Sequence, residues 1–112
     1  MKIQFLMTLV LGVALTAECA HAGGGDAAAG KQTVEKICAA CHGLDGNKPL
    51  AADYPRLGGQ NADYLLKALT DYKSGARKNP IMGAQIANLK DEQAMKDVAA
   101  YFASQAGLSV KR

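Results

Sequence analysis

The chain has 112 residues, is 49% hydrophobic but only 5% aromatic, holds no Trp, and carries 13 basic and 10 acidic residues for a net charge of +3. That length suits one domain, and a core so poor in large side chains is marginal without help from a buried group. Basic residues interleave with acidic ones and no aromatic stacking pattern accompanies them, which excludes nucleic acid as a partner.

Residues 1–22 read as a secretory signal peptide. Lys2 supplies the positive start, Ile3 to Leu15 is apolar apart from Gln4, Thr8 and Gly12, and Ala20-His21-Ala22 has the small-residue pattern of a cleavage site. A membrane anchor is the weaker reading, since a span takes roughly 20 apolar residues. A lipid-modified Cys19 is weaker still, because Glu18 stands where such a site requires a small residue. Cleavage after Ala22 and export to the periplasm are therefore expected, with no stable membrane insertion afterwards. Cys19 and His21 leave with the signal, so Cys38, Cys41 and His42 become the only cysteines and histidine of the mature chain.

Gly23 to Asp26 form a flexible lead, with Asp26 a suitable N-cap. The spacing predicts a helix from about Ala27 into Cys38, with Ala27, Gly30, Val34 and Ile37 on one stripe. A mid-helix glycine costs about 1 kcal/mol against Ala, so Gly30 signals a close helix crossing.

Cys38-Ala39-Ala40-Cys41-His42 carries the chemistry. Two thiols three residues apart, followed at once by an imidazole, form the covalent attachment pattern for c-type haem. Thiols at this spacing reach two vinyl groups of one porphyrin edge, while the next residue turns its ring towards the iron. Three other readings fit less well. A redox dithiol wants a βαβ setting, which the chain lacks. Structural zinc wants four ligands, and there is no second Cys or His pair. A simple disulfide would close a very small loop and leave His42 without a role.

From Gly43 to Gln60 the glycines and prolines prevent any long regular element, and a loop of that length in a small domain has a task. Here it would wrap one face of the haem. Asn61 is expected to cap a helix carrying Tyr64, Leu65, Ala68, Leu69 and Tyr72, with Gly75 ending it. Gly75 to Leu89 is expected to be irregular, because Pro80 disfavours helix at Asn79 and Gly83 permits tight backbone approach. Asp91 to about Gln105 reads as a last helix with Met95, Val98, Ala99 and Phe102 on one face and Tyr101 beside them.

His42 fills one axial position, so the other decides between carrier and catalyst. A thioether suits a carrier: it is soft, favours ferrous iron, raises the potential and keeps small molecules off the metal. Met82, in the Pro- and Gly-bounded stretch, is the expected ligand. Met95, at helical spacing with Val98 and Phe102, is expected to fill core. A five-coordinate iron open to gas or peroxide is the competing arrangement.

With Cys41-His42-Gly43-Leu44-Asp45-Gly46-Asn47, Tyr54-Pro55-Arg56-Leu57-Gly58-Gly59-Gln60, Asp63-Tyr64-Leu65-Leu66, Ile81-Met82 and Ala99-Ala100-Tyr101 in this order, the chain resembles the class I c-type cytochromes. It is most similar to the short single-haem bacterial members related to one half of the dihaem cytochromes. The resemblance implies an all-α fold over residues 27–112, three to five helices wrapped around one haem held by Cys38 and Cys41. First and last helices would cross near Gly30 and Tyr101 or Phe102. It also implies axial ligation by His42 and Met82, and a carbonyl at Pro55 that accepts the His42 Nδ1 proton. Val34 stands where many relatives place an aromatic.

The function expected is a soluble periplasmic electron-transfer protein and not an enzyme. Its partners would be redox proteins, a reductase or dehydrogenase as donor and an oxidase or peroxidase as acceptor. The alternatives are a cytochrome subunit of a periplasmic dehydrogenase or flavocytochrome, and a haem sensor or peroxidase-like enzyme. The absence of a second mature histidine for acid–base work argues against the last. Lys73, Arg77 and Lys78, with Arg56 and Lys48, form a candidate basic ring, diluted by Asp71 and Asp53.

Overall fold

The computed structural model describes residues 24–108 and, in isolation, Gly12. The signal peptide and its cleavage site thus lie outside the described residues, Gly12 apart. All regular elements among the described residues are helical.

Helix α1 (Ala27–Thr33) starts where expected: Asp26 is extended and its carboxylate accepts from the Ala28 and Ala29 N–H groups at 2.9 and 3.3 Å. The helical run does not end at Cys38. A π-helical turn, Val34–Cys38, follows α1, with the Ala39 N–H reaching back to the Val34 carbonyl. Helix α2 (Ala39–His42) continues to Gly43, whose φ of +83° stops it. The wide turn ends on Cys38, the first cysteine of the haem motif, at the kind of position where π turns recur in functional sites.

Helix α3 (Ala62–Ser74) ends at Gly75 with φ +82°, a left-handed stop that suits glycine. Asn61 occupies the N-cap position but its side chain makes no capping hydrogen bond. The expectation of an irregular stretch to Leu89 is corrected, because Pro80–Ile86 form helix α4. Pro80 restricts the residue before it, not those after. Asn79 is accordingly extended, and its side-chain oxygen accepts from the Ile81 and Met82 N–H groups, each at 3.0 Å. Proline at the first helical position loses only an N–H that has no intrahelical partner. Helix α5 (Glu92–Ser104) follows its N-cap Asp91, whose carboxylate accepts from the Ala94 N–H at 2.9 Å.

Helices α1 and α5 make the most extensive helix packing among the described residues. They cross at Gly30, where a Cβ would collide with the Asp97 carbonyl and lie 3.0 Å from the Tyr101 Cβ. The Asp26 N–H also donates to the Asp97 carboxylate at 2.8 Å, tying the start of the domain to its last helix. One core cluster joins Val34, Leu65, Val98, Ala99, Tyr101 and Phe102, so Val34 is a buried part of the crossing. A second joins Ile86, Leu89 and Met95. The Tyr101 hydroxyl donates to the Leu44 carbonyl at 2.8 Å, which fastens the loop after the haem motif to α5.

Candidate haem site

A cavity of about 520 Å³ opens beside these clusters, within the roughly 300–1,000 Å³ of small-molecule and cofactor pockets. Cys38 comes to it from the π turn, Cys41 and His42 from α2, Pro55 and Leu57 from the loop, and Met82 from α4. Apolar side chains of α3 and α5, among them Leu65, Leu69, Val98 and Phe102, complete the wall.

His42 is the one buried polar or charged side chain among the described residues, 6% exposed. Its Nδ1 lies 2.9 Å from the Pro55 carbonyl oxygen. A carbonyl only accepts, so Nδ1 carries the proton, and in the neutral ring Nε2 is the nitrogen with a free lone pair. The ring orientation and tautomer are thereby set before any ligand arrives, as a second-layer hydrogen bond does at metal sites. Tyr54 lies near the same ring, with centroids 6.4 Å apart.

The two thiols are half-buried and not joined in a disulfide. Burial, and then the charge of Cys41, push the Cys38 thiol up to about 11. A nucleophilic CxxC dithiol has the opposite character, a lowered pKa and a stabilised thiolate. A neutral thioether, by contrast, loses nothing in such surroundings. A porphyrin joined through both sulfurs therefore fits this donor set, with apolar walls for the ring and an imidazole nitrogen free for the iron.

The structure separates the two methionines. Met82 lines the cavity. Met95 is 3% exposed and packed in the cluster with Ile86 and Leu89, which is the core-filling role expected of it. Met82 reaches the cavity from the first turn of α4 and not from an irregular loop. Among the members of the expected basic ring, Arg56 and Arg77 line the cavity, and all five are exposed. The stripe expected on α3, Tyr64, Leu65, Ala68, Leu69 and Tyr72, lines the cavity, whereas sequence reasoning had no signal for Asn79 in the same wall, since its placement depends on how α4 docks.

Residues 27–106 match the family model described as cytochrome c. Cytochrome c4 of Pseudomonas aeruginosa is 49% identical over 102 residues, covering 91% of this chain and 48% of that protein. Cytochrome c-554(548) of Halomonas halodenitrificans is 44% identical over 84 residues, covering 72% of this chain and 98% of that one. The crystal structure of reduced recombinant cytochrome c4 from Pseudomonas stutzeri superposes with a TM-score of 0.68 at 43% identity, over 75% of this chain and 47% of that one. The chain thus spans about half the length of the cytochromes c4 it matches. The superposition shows a class I cytochrome c fold that resembles one half of a dihaem protein.

Proposed function

Because the chain belongs to the cytochrome c family over residues 27–106 and carries one covalently bound haem c, we propose that it is a soluble periplasmic one-electron carrier with His42 and Met82 as axial ligands. The bound haem supplies a ferric/ferrous couple. The protein transforms no substrate. Cys38 and Cys41 would hold the porphyrin, and the Pro55 carbonyl keeps the His42 Nδ1 proton in place, which would leave Nε2 available to the iron. Met82 would provide a soft thioether that favours the reduced state and blocks access by small molecules. Val98, Ala99 and Phe102 exclude water from the same cavity.

The observation that carries this reading is the shared cavity: His42 and Met82 both line it, while Met95 is locked in the core. Export rests on the signal-like residues 1–22, and no helix among the described residues is long and apolar enough to cross a membrane. Redox proteins of the donor and acceptor classes expected above would meet the basic residues around α4. Asp71 is engaged by Lys67 at 2.6 Å, which leaves Lys73 and Lys78 less diluted than the sequence suggests.

Optical spectra of the ferric holoprotein test the ligand set. Met82→Ala is expected to abolish the far-red thioether-to-iron band, and Met95→Ala to keep it at the cost of stability. The reverse pattern would overturn the assignment.

A further inference from the structure

Two guanidinium groups, Arg56 and Arg77, line the otherwise largely apolar cavity, and neither makes an ion pair among the described residues. Arg77 is held in place. Its Cζ lies 4.9 Å from the centroid of the Tyr72 ring, and Tyr72 belongs to the same cavity wall. Its backbone N–H donates to the Asp71 carbonyl at 3.0 Å, closing the turn after α3. The adjacent acid does not compete for it, because the Asp71 carboxylate accepts from Lys67 at 2.6 Å. Arg56 has no aromatic platform among the described residues, and the acidic Asp53, three residues before it, lines the same cavity.

A haem brings two propionate carboxylates to its site, and nothing else in the cavity wall besides these arginines offers a cationic partner. A planar guanidinium meets a carboxylate through two parallel N–H donors, and a platform that orients the fork in advance reduces the freedom lost on pairing. We infer that Arg77, oriented by Tyr72, is the residue that pairs with a haem propionate and thereby raises the reduction potential. Uncompensated propionate charge favours ferric iron, and a cation fixed beside it removes that preference. The inference rests on the placement of the haem between His42 and Met82 proposed above. Arg77 acts as a positioning and potential-setting residue and takes no part in ligation.

The test is redox equilibration of the holoprotein with a mediator of known potential, alongside reduced-minus-oxidised infrared spectra. Arg77→Gln should lower the equilibrium constant for reduction about threefold, roughly 28 mV at 59 mV per tenfold for one electron, and displace the propionate carboxylate bands. Arg77→Lys should restore most of the constant while the bands stay displaced, since charge returns without the fork. Tyr72→Leu should shift the constant in the same direction by less. A surface-charge effect of the ordinary kind is distinguished by Lys73→Gln, whose smaller shift should vanish at high salt while that of Arg77→Gln persists. An unchanged constant in Arg77→Gln, or a larger change in Arg56→Gln, overturns the assignment. The far-red band reports Met82 ligation separately and should be retained in Arg77→Gln, so failure of the ligand assignment and failure of this one are told apart.

Discussion

The crossing of α1 and α5 and the corner formed by α3 and α4 both contribute to the haem cavity, but they are built in different ways. At the crossing, Val34 is 0% and Phe102 2% exposed, Gly30 lets the backbones touch, and Asp26 is bonded to Asp97 across the interface. At the corner, residues 73–81 are all exposed, and α4 has seven residues of which only Ile86 is buried. Isolated helices shorter than about 12–15 residues are marginal in water, so α4 depends on its docking and on the Asn79 cap. The covalent attachment therefore sits on the well-packed side and the candidate thioether on the lightly held side. Elements that bind ligands are drawn from the less stable parts of a fold, and the corner has that character.

Four substitutions break or sharpen this contrast. Phe102→Ala should destabilise the holoprotein by about 3–5 kcal/mol, the range for truncating a buried Phe, read by denaturant unfolding. A loss below about 1 kcal/mol would show that the crossing is not where the stability lies. Gly30→Ala forces a Cβ against the Asp97 carbonyl and should cost roughly 1–3 kcal/mol, as overpacking does; an unchanged midpoint would mean that the helices separate freely there.

Asn79→Ala removes the side-chain acceptor of two first-turn N–H groups and should cost about 1 kcal/mol. On heating, the far-red band should then bleach well before helix content falls, because the damage is confined to the corner. Coincident loss of both signals would show that corner and crossing unfold as one unit.

Tyr101→Phe deletes the bond to the Leu44 carbonyl, a neutral hydrogen bond of roughly 0.5–1.5 kcal/mol net. Burial, and then the charges of Glu35 and Asp45, raise the Tyr101 pKa. The folded state thus holds the proton more tightly than the unfolded chain, whose tyrosine titrates near 10. The associated stability is complete below about pH 10 and is lost as pH rises through the raised folded value. Tyr101→Phe should therefore lose less stability than the parent between neutral pH and strongly alkaline solution. A parallel decline in both proteins would remove Tyr101 from the account.

Much of the crossing was legible before any coordinates. Asp26 caps α1 as expected, Gly75 stops α3, Asp91 lies one residue before α5 as its cap where the pattern had it inside the helix, and the Met95, Val98, Ala99, Phe102 stripe is buried as its period requires. These signals are local: a short polar side chain beside an orphan N–H, a glycine free to take positive φ, a repeat that matches one helical face. The corner was less legible. Pro80 and Gly83 are ambiguous letters, since proline both ends helices and begins them, and a seven-residue helix is too short to show a period. The π turn left no trace in the pattern, and Asn61 has the right residue type for a cap whose bond is not made.

By itself, then, the sequence determined the attachment chemistry, because Cys38, Cys41 and His42 fall within five residues and their spacing alone carries the meaning. It also determined that Gly30 lies at a close crossing, since a helix tolerates such a residue for little else. The pairing of Met82 with His42, and of the Pro55 carbonyl with its imidazole, was expected from the motifs and the resemblance, but only the tertiary structure decided that Met82 arrives on a helix, that Asn79 lies in the same wall and that Arg77 is laid over Tyr72. His42 and Met82 are forty residues apart and His42 and Pro55 thirteen. Their meeting follows from how α3, α4 and α5 pack around one apolar volume, which no local pattern encodes.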